Sequence, residues 1–152
     1  MSATLSVAAI KNGTVIDHIV PGQAFRIIHL LSLQSSKHTV TIGLHLPSKL
    51  IGTKDLIKIE NRVLTEAEAN EIVVFSPSAT INVIENFDVT KKISTHLPKS
   101  MKNIFICPNQ NCISLSEPIS SLFYITDQGK QIKLTCHYCN KEFDRDQIKV
   151  GI

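Results

Sequence analysis

The chain of 152 residues has no tryptophan, and aromatic residues make up only 5% of it, so its core must be built from branched aliphatic side chains. Long hydrophobic runs are also absent. The longest, Ile27-Ile28 through Leu30-Leu31, is interrupted by His29 and falls far short of the ~20 residues that cross a bilayer. Neither sign of charge dominates: the net charge is +3, with nine Lys/Arg against eight Asp/Glu in residues 1–98 and seven against five in residues 99–152. That balance argues against a strongly basic nucleic-acid binder, so any anion site must be a local group of lysines. No glycine-rich phosphate loop, nucleophile elbow or H-E-x-x-H motif occurs, and nothing points to catalysis. Met1-Ser2-Ala3-Thr4 is not the charged start of a secretory leader, and a cytoplasmic, reduced protein without a membrane segment is expected.

Cysteine is scarce, and its placement is informative. The four cysteines form two close pairs, Cys107-Pro108-Asn109-Gln110-Asn111-Cys112 and Cys136-His137-Tyr138-Cys139, separated by 23 residues. Each close pair can place two thiolates on one ion, and two pairs complete the closed all-sulfur tetrahedron that zinc favours in structural sites. Such a site leaves no position open for substrate. Two disulfides would need an oxidising compartment, and a redox C-x-x-C would need a βαβ context that is missing here. Iron uses the same four thiolates, so structural zinc is the favoured reading among metals. His137 lies between two ligands and would overfill the shell, which makes it a surface residue.

Taken in order, Ser6–Ile10 and Thr14–Val20 read as extended runs joined by an Asn12-Gly13 turn. Helical spacing of Ala24, Ile27, Ile28 and Leu31 predicts a helix over 23–33. Val40, Ile42, Leu44 and Leu46 alternate with polar residues, predicting a half-buried strand that Pro47 stops. Residues 55–61 alternate again, with Ile57 and Ile59 inward. Thr65-Glu66-Ala67-Glu68 is a capping box that starts a helix, running into Ile72–Phe75, a strand or a helix end. Residues 80–89 predict one more strand. The series gives an α+β, ferredoxin-like domain with two helices on one sheet face, whose exposed edge invites dimerisation. A polar stretch, 91–101, reads as the linker, so the domains are expected at 1–98 and 99–152. The second is a small all-β zinc ribbon with strands at 121–126 and 131–135.

Several blocks in this order resemble the regulatory chain of aspartate carbamoyltransferase over nearly the whole length. They are Gly13-Thr14-Val15-Ile16-Asp17-His18-Ile19, Thr41-Ile42-Gly43-Leu44 with Leu46-Pro47-Ser48, Lys54-Asp55-Leu56-Ile57-Lys58-Ile59-Glu60-Asn61, and the two knuckles with Lys141-Glu142-Phe143. The resemblance implies a noncatalytic subunit that acts in pyrimidine synthesis. Its N-terminal domain would bind nucleotides, typically CTP as inhibitor and ATP as activator, with UTP a further candidate. That domain would also pair as a homodimer, while the zinc domain would dock on the catalytic chain and so link catalytic trimers. By matching position, the triphosphate would meet His18, Lys92 and Lys54. Lys58 would lie near ribose and base, and Asp17 would hold ribose hydroxyls. Val7, Ala9, Ile10, Leu56, Asn82, Ile84 and Val89 would complete the pocket, and Asn109 and Asn111 would contact the catalytic chain. Three positions depart from the family pattern: Ala8 where glutamate is common, Phe87 where tyrosine is common, and Asn140 where an acidic residue is common.

Each of these residues also has a plain reading. His18 could flank a turn, Lys58 could be a solvated strand lysine, Lys91-Lys92 a linker charge pair, and Asp17 a turn cap. A zinc-ribbon nucleic-acid-binding protein is the alternative function, opposed by the small excess of basic charge in the ribbon.

Overall fold

Period-two alternation decides how the first half folds. Ile16, Ile57, Ile59 and Ile81 all project to one side of their strands and are fully buried there. The computed structural model describes residues 7–129 and 131–151, and the chain divides into two compact units, Met1–Thr95 and His96–Ile152. The first unit runs β1 (Gly13–Ile19), α1 (Ala24–Leu30), β2 (Val40–Ser48), β3 (Gly52–Glu60), α2 (Glu66–Phe75), β4 (Thr80–Glu85) and β5 (Asp88–Ile93). Its sheet is antiparallel in the order β2-β3-β1-β4-β5. This is the expected ferredoxin-like α+β arrangement with one additional edge strand. Ala24, Ile27 and Ile28 of α1 and Ala69, Ile72 and Val74 of α2 supply the helical side of the core. Among the described residues, no helix covers the opposite sheet face.

The capping box at α2 is complete. Thr65 Oγ1 accepts from the Glu68 amide at 3.1 Å, and Glu68 Oε1 accepts from the Thr65 amide at 3.0 Å. Ile72–Phe75 is therefore the end of this helix and not a strand. α1 is shorter than its hydrophobic spacing predicts. It has no side-chain cap, and Ser32 takes a left-handed conformation, φ 54°, before a 3₁₀ turn at Leu33–Ser35.

Three strand expectations change. Residues 7–10 form no strand, and Ser6, where that run was expected to begin, lies outside the described residues. Pro47 does not stop β2: it pairs with Thr53 inside the strand, which is permitted because β2 is an edge and one side of its backbone needs no ladder donor. The strand expected over 80–89 is a hairpin instead, β4 and β5 joined through Asn86 and Phe87 at φ 51° and 70°. Two successive left-handed residues make the tight turn that matches strand twist, a signal hidden because no glycine marks it.

The second unit contains β6 (Ser100–Lys102), β7 (Phe105–Ile106), α3 (Ile113–Ser116), β8 (Leu122–Gln128), β9 (Gln131–Cys136), β10 (Glu142–Asp144) and β11 (Lys149–Val150). Four strands form one sheet, β10-β9-β8-β6, and β11 pairs with β7. β8 and β9 are the expected ribbon. Its core is thin: Met101, Phe105, Phe123, Ile125, Leu134 and Ile148 are its main large buried side chains, with Phe105 and Phe123 edge to face at 5.7 Å.

Candidate functional site

Two turns bring the cysteines together. The first knuckle is tightened by Asn109, whose carbonyl accepts from the Cys112 amide at 3.0 Å and whose side-chain oxygen accepts from the Asn111 amide at 3.1 Å. The second closes through the Asn140 amide donating to the Cys136 carbonyl at 2.9 Å and the Cys136 amide donating to the Lys141 carbonyl at 3.0 Å. All four Sγ atoms lie within 4.8 Å of one another. The Cys107–Cys139 and Cys112–Cys136 separations are both 3.7 Å. A tetrahedron with metal–sulfur bonds of about 2.3 Å has edges of about 3.8 Å, so the donor set has the dimensions of a filled site. All four cysteines are free thiols, and the two separations given lie well beyond the distance of about 2.05 Å in a disulfide.

The local electrostatics distinguish the four thiols. Burial, together with contacts to the neighbouring thiols, pushes Cys107 and Cys136 above the usual thiol range. Burial also acts upward on Cys139, but hydrogen bonds from the Lys141 backbone and the Asn109 side chain, with the neighbouring Cys107 and Cys136, bring it down to about 7. Asn109 thus holds both knuckles. Asn111 is exposed, and His137 stays outside the shell, its Nδ1 2.8 Å from the Tyr124 hydroxyl.

The open face of the first sheet carries a cavity of about 410 Å³. Val15 and Asp17 of β1, Lys54, Leu56 and Lys58 of β3, and Asn82 and Ile84 of β4 reach it by alternation, with Val7 and Val89 at its margin. Asp17 pairs with Lys54 at 2.8 Å. Lys58 Nζ donates to the carbonyls of Val7 at 3.3 Å and Ala8 at 2.7 Å. Burial lowers the Lys58 pKa; nearby Asp17 opposes this and Lys54 adds to it.

Of the twelve residues expected in a nucleotide pocket, Val7, Asp17, Lys54, Leu56, Lys58, Asn82, Ile84 and Val89 line this cavity. Ala9, Ile10, His18 and Lys92 do not. Ile10 is buried and Ala9 exposed. His18 sits at the end of the same face, its Nδ1 3.1 Å from Thr80 Oγ1, and Thr80 is the register partner of Asp17. Lys92 is directly across from Asn82, and it borders a different hollow of about 430 Å³ beside Val63 and Glu66. Val15, Leu46 and Pro47 line the cavity without having been expected. Val15 follows from its spacing to Asp17. Leu46 does not, because it shares the parity of Ile42 yet faces the other side.

An α+β domain with a lysine-bearing cavity on one sheet face, followed by a ribbon whose four cysteines can hold one metal ion, defines a two-domain metal-binding protein. The family model for the aspartate carbamoyltransferase regulatory chain, allosteric domain, matches residues 5–96, and that for the metal binding domain of the same chain matches residues 99–149. The chain is 48% identical over 144 residues to the aspartate carbamoyltransferase regulatory chain of Vibrio cholerae serotype O1 (strain M66-2), covering 95% of this chain and 93% of that one. It is 49% identical over 148 residues to the regulatory chain of Chromobacterium violaceum, covering 97% of each. It is also 49% identical over 144 residues to that of Photorhabdus laumondii, covering 95% and 94%. The chain belongs to the family of aspartate carbamoyltransferase regulatory chains. It is a noncatalytic chain with an allosteric domain and a metal-binding domain whose four cysteines can hold one metal ion. No helix among the described residues is long and apolar enough to cross a membrane.

Proposed function

We propose that the cavity on the bare sheet face is the allosteric site and that it takes a nucleoside triphosphate of the CTP or ATP type, with UTP a third candidate. The observation that carries this reading is the pairing of two lysines, Lys54 and Lys58, with Asp17 in one cavity that is otherwise neutral. Lysine ammonium groups suit phosphates, a carboxylate suits ribose hydroxyls, and Asn82 and backbone groups suit a base edge. A bound triphosphate competes with Asp17 for Lys54, and a ribose competes with the Val7 and Ala8 carbonyls for Lys58. His18 and Lys92 flank the same face and reach the phosphates by side-chain rotation. Residues 1–98 act as the effector domain. Residues 99–152, with zinc as the metal, dock on the catalytic chain through a surface that includes Asn109 and Asn111.

Two regulatory chains pair in this reading, and the two sheet edges differ in fitness for the task. β2 exposes Ile42 and Leu44, each 40% accessible, and its Val40–Ser48 span contains no lysine. β5 carries Lys91 and Lys92, the kind of charge that blunts an edge. The homodimer therefore forms along β2. The complex works in the cytoplasm, where free thiolates persist.

Calorimetric titration of the metal-loaded chain with CTP, then ATP, at two salt concentrations tests the effector site. One saturable site per chain, lost in Lys58→Ala with metal content unchanged, is the expected result. Equal affinity in wild type and variant removes Lys58 from the site, and no binding to the assembled enzyme refutes the reading.

A further inference from the structure

Asp55 is completely buried and lies on the helix side of β3, facing away from the cavity. Both strands that flank β3 bulge opposite it. Between Ile16 and Ile19, β1 advances three residues while β3 advances two, and β2 does the same between Gly43 and Leu46. A histidine sits in the left-handed region at each bulge, His18 and His45, both at φ 55°. An extra residue breaks the ladder and frees a backbone donor in β2, and the Asp55 carboxylate collects it together with two amides from the turn into α1. Its Oδ1 accepts from the His45 amide at 3.1 Å. Its Oδ2 accepts from the Gly22 amide at 3.0 Å and the Ala24 amide at 3.4 Å.

The bulges decide what the cavity is made of. Without the one in β1, Ile19 would follow Val15 and Asp17 onto the open face; with it, Ile19 is fully buried in the core. Without the one in β2, Leu46 would follow Ile42 toward the helices. Instead Leu46 pairs with Lys54 and turns onto the cavity side, lying over Gly43 so closely that a Cβ there would come within 2.7 Å of Leu46 Cδ1. Val7 meets the same point at 3.2 Å.

We propose that Asp55 is the positioning residue of the effector cavity: by gathering the amides of His45, Gly22 and Ala24 it holds the β2 bulge and the exit of β1, and so aims Leu46 and Pro47 into the cavity wall beside Lys54. It acts from the far side of the sheet and touches no ligand. Its effect on nucleotide binding rests on the effector reading above; its effect on the cavity wall does not.

Asp55→Asn in the full metal-loaded chain is the test. An amide keeps one acceptor and turns an N–H₂ toward backbone donors, leaving one of them unpaired. The variant is expected to lose the NMR contact between Leu46 methyls and Gly43 α-hydrogens and to bind CTP about tenfold or more weakly, as loss of a charged hydrogen bond predicts. Adding His45→Gly, which accepts φ 55° without the carboxylate's help, restores both the contact and the affinity. Adding Ser32→Gly, which relieves a left-handed residue in the loop after α1, restores the melting midpoint alone. This second pair keeps the test valid even where Asp55→Asn by itself folds poorly. Retention of the Leu46–Gly43 contact in Asp55→Asn, or equal rescue by His45→Gly and Ser32→Gly, overturns the proposal and leaves Asp55 a stabilising residue only. A wild-type chain that binds no CTP, with the Leu46 contact still dependent on Asp55, refutes the effector reading and keeps the positioning role.

Discussion

Stripping the metal with a strong chelator should unfold residues 96–152 and leave the first unit folded. A domain as short as the second unit has a net stability of roughly 3–9 kcal/mol at the usual 0.05–0.15 kcal/mol per residue. Binding of a structural metal to four thiolates contributes about 10–16 kcal/mol at neutral pH. The metal therefore supplies more than the whole margin, and few large buried side chains remain to oppose unfolding. Burial raises Cys107 and Cys136 above the ordinary thiol range, so these two carry protons at neutral pH once the ion is gone, and nothing replaces the lost bonds. The aromatic composition provides the assay. The chain has no tryptophan and two tyrosines, Tyr124 and Tyr138, both in the second unit. Folded, their hydroxyls bond His137 Nδ1 at 2.8 Å and the Ser120 carbonyl at 2.9 Å. Tyrosine emission thus reports the metal domain alone, while most of the far-UV helix signal comes from α1 and α2. Chelation should change the emission to that of free tyrosine with the helix signal and its melting midpoint retained, and zinc should restore it. Emission and amide-exchange protection unchanged after complete metal removal would refute the argument, because the thin core would then be sufficient by itself.

Three substitutions probe the first unit. Phe87→Gly should stabilise it by about 1 kcal/mol, because Phe87 sits at φ 70° and a left-handed L-residue costs that much; a urea midpoint that stays or falls shows that the ring's contacts outweigh the strain. Thr65→Ala removes the acceptor at the start of α2 and should cost about 1 kcal/mol, read as a lower far-UV melting midpoint with tyrosine emission untouched. Glu71→Gln tests a pH dependence. Burial first, then the nearby Glu68, raise the Glu71 carboxyl above its ordinary 4.5. The folded chain therefore holds this proton more tightly than the unfolded one, and the stability linked to it is complete below pH 4.5 and lost as pH rises through the folded value. The variant should melt above wild type at pH 7 and level with it below pH 4, and a gain that persists in acid would point to packing instead.

The metal centre was fully legible in the sequence because its information is local: two short turns and four identical ligands fix the chemistry wherever the units lie. The capping box was equally plain, since Thr65 and Glu68 act on each other's amides within one turn. Elements set by tertiary context were harder to see. α1 ends at Leu30, and no glycine or asparagine announces the left-handed residue, Ser32, that follows it. The β4–β5 turn is hidden for the same reason, Asn86-Phe87 occupying a place where a second residue of glycine is usual. Pro47 misled because its effect on a strand depends on whether that strand is an edge, which is a property of the sheet and not of the run.

The cavity was legible to the extent that alternation was unbroken. Val15 with Asp17, Lys54 with Leu56 and Lys58, and Asn82 with Ile84 each lie two residues apart and share a face. Alternation fails at Leu46 and at Ile19, and it fails in both places because one extra residue enters a flanking strand opposite Asp55. A parity rule propagates every error downstream of a bulge, so Leu46 is assigned to the helix side by the same reasoning that pairs Ile42 with the buried Ile57. The sequence does contain a trace of the cause. Asp55 begins an otherwise apolar inward row, Asp55-Ile57-Ile59, and a carboxylate in a buried row must find donors. Since the ladder of a regular sheet leaves no backbone amide free on its faces, those donors have to come from an irregular strand, as at His45, or from a turn and a helix start, as at Gly22 and Ala24. A buried aspartate in a hydrophobic stripe therefore marks irregular backbone nearby, and where that irregularity is a bulge, as at His45, a sheet face can change hands from core to site.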